Sequence, residues 1–324
     1  MKLRCPNVNC TSAQIPSPKL EHFAKNGSYF RRTDSKWVER FACSYCRKSF
    51  SYSTFNPTYR QKKRRISEPL RLLLNSGVSQ KRAAKILKVN EKTVVRRFRF
   101  LAQQARLQHE MWLTAQYQDQ RLNFVQFDDL ETAEHTKCKP LSVTLAIEPS
   151  TRKILHFQVS RMPAKGLLSR IALKKYGPRM DERPKAWDKF MEALKPIVHP
   201  QVIFASDENP HYPKYIKKHH PLSSHHRTKG GRGSVSGQGE LKKLRFDPLF
   251  SLNHTCAMLR ANLNRLFRRT WCMSKTIQGL IDHLSLYVIY HNLVLTPPHT
   301  AAITAKGGSL KKMGSNKENL HQTP

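Results

Sequence analysis

Asn123-Phe-Val-Gln-Phe-Asp128, Leu141-Ser-Val-Thr-Leu-Ala-Ile-Glu148, Ile154-Leu-His-Phe-Gln-Val-Ser160 and Val202-Ile-Phe-Ala-Ser206 are short apolar runs rich in β-branched and aromatic residues. Bounded by turn residues such as Pro149–Lys153, they read as strands. Residues 165–197 read as mostly helical despite internal prolines. A helix is expected from about Leu252 to Arg269, with Leu252, Cys256, Leu259, Leu263 and Leu266 as its core seam. Another follows Ser274 as cap, with Ile277, Leu280, Ile281, Leu284 and Val288 inward. Three antiparallel strands, a helix, a parallel strand and a long helix make an α/β domain over residues 122–295.

Upstream the texture changes. Cys5-x4-Cys10 and Cys43-x2-Cys46 are two close pairs, and short turns that aim two sulfurs at one point suit a tetrahedral zinc site. Phe30, Trp37, Val38 and Phe41 between them alternate well enough for a small hairpin, so residues 1–60 read as a zinc ribbon. Seven cysteines cannot all pair, and Cys138, Cys256 and Cys272 read as core thiols. Residues 61–102 begin with the basic run Gln61-Lys-Lys-Arg-Arg65 and continue as a helix-turn-helix. Leu70, Leu73 and Leu74 form a stripe that Gly77 stops; Ser79 caps a helix carrying Ala83, Ala84, Ile86 and Leu87; Asn90 caps a third with Val94, Phe98 and Leu101 inward. Lys92, Thr93, Arg96, Arg97 and Arg99 are expected outward, as on a helix that enters the major groove. Residues 103–121 read as a polar helical connector, and 296–324 as a disordered tail.

The chain has 324 residues with 58 Lys/Arg against 22 Asp/Glu, a formal charge of +36. Residues 1–110 alone hold 25 basic and 6 acidic side chains, so the charge is densest where the two small modules lie. Such a surplus points to a polyanionic partner, double-stranded DNA before an anionic membrane, because no basic stretch has a long apolar face. The 39% hydrophobic content excludes a wholly disordered basic chain. No run approaches a membrane span, and Met1-Lys-Leu-Arg-Cys5 lacks a signal-peptide core. A cytoplasmic, nucleoid-associated protein is expected.

Asp128 and Asp207 each close a strand, where an open α/β sheet leaves room for substrate. Two carboxylates brought together need a cation, and Mg2+ or Mn2+, which seek oxygen, fit. Each aspartate taken singly could instead cap a turn. Asp129 and Glu131 are neighbouring acids, and a one-residue slip would exchange Asp128 for Asp129. Glu240 and Asp247 could supply a third carboxylate. His211, His219, His220, His225 and His226 are too irregularly spaced for a metal site and suit phosphate contact better.

With these residues in view, the chain from Cys5 to about Leu295 resembles bacterial insertion-sequence transposases built from a zinc ribbon, a helix-turn-helix and a ribonuclease H-like core. The resemblance is carried by Lys25-Asn-Gly27 … Glu39-Arg-Phe-Ala-Cys43-Ser-Tyr-Cys46-Arg-Lys-Ser-Phe50, by Asp128-Asp-Leu-Glu-Thr132, by Ser206-Asp-Glu-Asn-Pro-His-Tyr212, and by Asn253-His-Thr-Cys-Ala-Met-Leu-Arg260 … Arg268-Arg-Thr-Trp271 … Ser274-Lys275. Many relatives carry Glu seven residues before that Arg; here Asn253 stands there. The resemblance therefore implies an Asp128-Asp207-Asn253 catalytic set, with Lys275 as its basic partner. Arg260, on the same helical face as Asn253, and Lys275 could hold DNA phosphates. It implies binding to the element's terminal inverted repeats, metal-dependent strand cleavage and transfer, and a homodimer or higher assembly on DNA. A catalytically inactive, transposase-derived DNA-binding regulator is the alternative. A nuclease acting on RNA–DNA hybrids would share the core but leave the helix-turn-helix unexplained.

Overall fold

The structure is a computed structural model that describes residues 3–15, 20–32, 34–229, 247–267 and 269–296. The expected tail beyond Thr296, Glu240 and Arg268 lie outside the described residues. The chain divides into two compact units, Met1–Leu70 and Arg71–Pro324.

In the first unit, a short helix α1 (Thr11–Gln14) follows the first cysteine pair. Strands β1 (Phe23–Arg31), β2 (Lys36–Cys43) and β3 (Ser49–Phe50) form an antiparallel sheet in that order. Its small core joins Leu3, Phe23, Phe41 and Phe50 to the buried Cys5, Cys10 and Cys43. Phe23 and Phe50 meet edge to face with centroids 5.5 Å apart. The hairpin expected from Phe30, Trp37, Val38 and Phe41 is present, but only Phe41 enters the core. Phe30 and Trp37 pair across the strands and stay exposed. Helix α2 (Ser67–Leu74) carries the boundary between the units.

In the second unit, α3 (Gln80–Ile86) and α4 (Glu91–Tyr117) start at the expected caps. Ser79 accepts from the Arg82 amide at 3.3 Å and Asn90 from the Lys92 amide at 2.8 Å. Gly77 adopts φ +75°, the left-handed region that favours glycine, at the turn after α2. Helix α4 does not stop near residue 102. Its 27 residues contain neither Gly nor Pro, and the buried seam Val94, Phe98, Ala102 and Ala105 runs on toward Tyr117. The expected third helix and connector are thus one element, grouped with the sheet in a single unit. The seam packs on α9 (Ile277–Tyr290), where Phe98 meets the His283 ring at 5.7 Å and Arg106 pairs with Asp282 at 2.9 Å. Burial and nearby Arg265 depress the His283 pKa to about 3, so a neutral ring donates from Nε2 to the Leu74 carbonyl at 2.9 Å.

Strands β4 (Leu122–Ala133), β5 (Pro140–Ile147), β6 (Ile154–Arg161), β7 (Val198–Asp207) and β8 (Ser224–Thr228) form a mixed sheet in the order β6-β5-β4-β7-β8. The first three are antiparallel; β7 and β8 run parallel to β4. Helix α5 (Leu168–Tyr176) leads to α6 (Arg183–Leu194), and α7 (Tyr212–His219) follows β7. Val125 and Phe127 of β4 join Trp187, Phe190 and Phe204 in one core layer; Leu130 joins Val143, Leu145, Leu259 and Leu284 in the other, against α8 (Phe250–Asn262) and α9. Three expectations are corrected. Strand β4 runs through the acids instead of ending at Asp128. Helix α8 ends at Asn262 rather than near Arg269, and Thr276, not Ser274, caps α9 by accepting from the Gly279 amide.

Phe127 is fully buried, with centroids 4.8 Å from Tyr212 and 5.9 Å from Phe204. Phe127→Ala is expected to cost about 3–5 kcal/mol in urea unfolding, by lost transfer energy and an unfilled cavity. On the same strand Phe124, 42% exposed, is expected to change stability by no more than about 0.5 kcal/mol when cut to Ala. Equal losses would contradict the layer assignment.

Candidate metal centre and acidic cleft

In the first unit the two cysteine pairs converge. The Cys5 and Cys46 sulfurs are 3.5 Å apart, those of Cys10 and Cys43 3.8 Å, and all four lie within 4.8 Å of one another. A zinc tetrahedron with Zn–S of about 2.3 Å has edges of about 3.8 Å, so the four sulfurs fit such an ion. Local backbone builds the second turn: the Arg47 amide donates to the Cys43 carbonyl at 2.8 Å, with Arg47 at φ +57°. Amide donation from Lys48 draws the Cys46 thiol down to about 7, whereas burial pushes Cys5 up to about 12. This is the one His/Cys/Asp/Glu group among the described residues whose ligand atoms converge in this way.

In the second unit the parallel pairing of β4 with β7 reaches Gln126 opposite Ala205. Two residues further along each strand stand Asp128 and Asp207, side by side at the mouth of a cleft of about 780 Å³. Lys165, Arg183 and Lys229 line the same cleft. Burial first, and then the negative charge of Asp207, raise the Asp128 pKa to about 7. The Asp128 carboxylate accepts from the Asp129 amide at 2.7 Å and the Tyr212 hydroxyl at 3.3 Å. Asp207 accepts from the Asn209 amide at 3.1 Å.

The pleat separates the two adjacent aspartates. Asp129 shares the face of Val125 and Phe127, where its carboxylate accepts from the Thr144 hydroxyl at 2.5 Å and the Trp187 indole at 3.2 Å. Burial raises its pKa while these donors oppose the rise. Asp128 shares the face of Gln126 and Leu130, toward α8, and its charge contributes, after burial, to pushing the Cys256 thiol up to about 12. Glu131 lines the cleft but is paired with Lys165 at 2.5 Å.

The other expected residues are not gathered there. Asn253 is exposed on α8, does not line the cleft, and donates its amide to Asp247 at 2.8 Å. Arg260 lines a separate groove, and Lys275 is exposed outside both. Lys92, Arg96 and Arg99 form an exposed stripe on α4, with Thr93 half-buried beside it. Arg97 is corrected: it is 7% exposed, with its guanidinium 5.9 Å from the Phe100 ring centroid, and so does not belong to the outward face. His211 lines the acidic cleft beside Trp187, whereas three other histidines make contacts within the fold. His225 Nε2 meets the Ser206 hydroxyl at 2.8 Å, His220 bonds the Met191 carbonyl, and His219 pairs with Asp188 and Glu192. Trp187, Arg183 and Lys165 are cleft or supporting residues that the sequence reading did not single out. They come from the 165–197 segment, whose only sequence signal is Arg183-Pro-Lys-Ala-Trp187, a helix start with Pro in its first turn.

The sequence matches no protein-family model and is significantly similar to no curated protein.

Two measurements check this geometry. Purified protein is expected to carry about one zinc per chain by metal analysis, lost in Cys43→Ser and kept in Cys256→Ser. For Asp128, a raised carboxylate pKa means that ionisation opposes folding. The Asp128→Asn variant should therefore melt higher than the parent at about pH 8 without added divalent ions, and the gain should shrink as pH falls through about 7 and vanish below about pH 3, where the aspartate is neutral in both the folded and the unfolded chain. A gain independent of pH would contradict the burial of that charge.

Proposed function

We propose that this protein is a transposase: it binds the ends of a mobile DNA element and breaks and joins DNA strands at the Asp128–Asp207 cleft. The observation that carries the reading is the placement of these two carboxylates on neighbouring parallel strands, level with each other, in a cleft rimmed by Lys165, Arg183 and Lys229. The strand order β6-β5-β4-β7-β8, antiparallel on one side and parallel on the other, is the order expected of a ribonuclease H-like core and supports it. The four-cysteine cluster and the capped helices α3 and α4 with their basic stripe supply DNA-binding surfaces.

Burial and, after it, the neighbouring charge of Asp207 raise Asp128, which fits a site that takes up a cation. Asp128 and Asp207 would hold Mg2+ or Mn2+, which when bound activates water and offsets charge on the leaving oxygen. Tyr212 orients the Asp128 carboxylate through its hydroxyl, and Asn209 orients Asp207 through its backbone amide. Lys165 and Arg183 would hold the phosphates on either side of the scissile bond. A second reading has an observation of its own: Asn253 is bonded to Asp247 and does not line the cleft, as in a DNA-binding regulator without chemistry.

A plasmid carrying the gene's native locus, incubated with the protein in magnesium or manganese and mapped by sequencing, separates these readings. Discrete breaks at paired inverted repeats are expected, abolished in Asp128→Asn and Asp207→Ala, with specific binding retained in both. Footprints at those repeats without breaks in either metal would establish the regulator. Normal cleavage by Asp207→Ala would overturn the site.

A further inference from the structure

A second groove, of about 880 Å³, opens between the α2–α3 turn and the segment that follows α8. That volume lies within the range of about 300–1,000 Å³ typical of small-ligand sites. Arg82, Arg260 and Arg269 line it, and none of its lining residues is acidic. Trp271, also in the lining, is 73% exposed, and the Arg269 guanidinium stands 5.7 Å from its ring centroid.

The groove is fastened in place. The Gly77 amide donates to the Asn262 carbonyl at 2.6 Å, tying the α2–α3 turn to the end of α8. A Cβ at Gly77 would come within 3.2 Å of the Phe267 ring, and the φ of +75° disfavours a side chain there in any case. The groove's two walls are thus positioned by backbone contact and close packing before any ligand arrives.

An open indole among three guanidinium groups has a specific chemistry. Guanidinium groups bind phosphate oxygens by charge-assisted, forked hydrogen bonds. An aromatic face stacks on a nucleobase, and does so only where that base is not already covered by its duplex neighbours. Surface charge alone would attract a duplex; the exposed ring adds a preference for an unpaired strand.

We propose that this groove binds an unpaired nucleotide of a DNA strand, its base stacked on Trp271 and its phosphates held by Arg82, Arg260 and Arg269. The inference rests on the DNA-binding part of the reading above and not on strand cleavage. On that reading the unpaired nucleotide is one frayed or freed at a DNA end.

The test is fluorescence anisotropy with the full chain and two labelled probes, an oligo-dT strand of about 15 nucleotides and a blunt duplex of equal length. Trp271→Ala is expected to weaken binding of the strand about tenfold and to leave the duplex within about twofold. Trp271→Phe should retain most of the affinity, because a smaller ring still stacks. The double variant Arg82→Ala/Arg269→Ala should weaken the strand as well, and Trp37→Ala, which changes the exposed tryptophan of the first unit, should not change its preference over the duplex. Equal loss on both probes, or no loss on either, would overturn the groove while leaving the transposase reading standing. A wild-type chain that binds neither probe would overturn both.

Discussion

Strand β4 has to satisfy two different neighbours at once. Its whole second half is paired antiparallel with β5, while its first half alone is paired parallel with β7. Beyond Gln126 one edge of β4 is therefore open, and Asp128 stands at that opening with Asp207 across from it. Burial of Phe127 on the opposite face fixes the pleat, because a slip by one residue would drive that ring out of its aromatic cluster and an aspartate into it. Which of Asp128 and Asp129 turns toward α8 is thus set by the hydrophobic side chain just before them.

Much of this was legible in the residues. The caps at Ser79 and Asn90, the cysteine pairs and the four apolar runs all appear where local chemistry puts them, and the expected leucine seam is buried although Leu263 and Leu266 fall beyond the end of α8. The misses have physical causes. Acids are uncommon inside strands, so β4 reads as ending at Asp128. It continues because Asp129 finds its hydrogen-bond donors in Thr144 and Trp187, distant in sequence. Strand β8 was hidden because Ser224-His-His-Arg-Thr228 is a polar edge strand with no buried side to set up an alternation. Arg97 was a readable miss: it lies three residues after Val94 and four before Leu101, on the inward seam, and only its charge suggested otherwise.

The electrostatics set a contrast between the cleft and the rest of the molecule. In a chain of +36, Asp128, Asp129, Glu131, Asp207 and Glu208 gather in a single cleft. Burial first and then this crowding raise the Asp128 pKa, and the fold answers with few contacts: the Tyr212 and Thr144 hydroxyls, the Trp187 indole, the Asp129 and Asn209 amides and the basic rim. The stability lost there resembles that at other sites whose groups are arranged for a ligand rather than for the apo fold.

Helix α4 also joins the helical segment around α3 to the sheet. Its 27 unbroken residues span about 40 Å, from the Lys92–Arg99 stripe at one end to Tyr117 against the sheet at the other. Arg106 and Phe98 clamp its middle to α9. The basic stripe and the sheet are therefore joined by one helix that has neither glycine nor proline to hinge it. On the proposed reading, DNA held by the stripe would be presented to the sheet by a strut of set length, so spacing along it would be a ruler built into the backbone rather than a matter of which bases lie between.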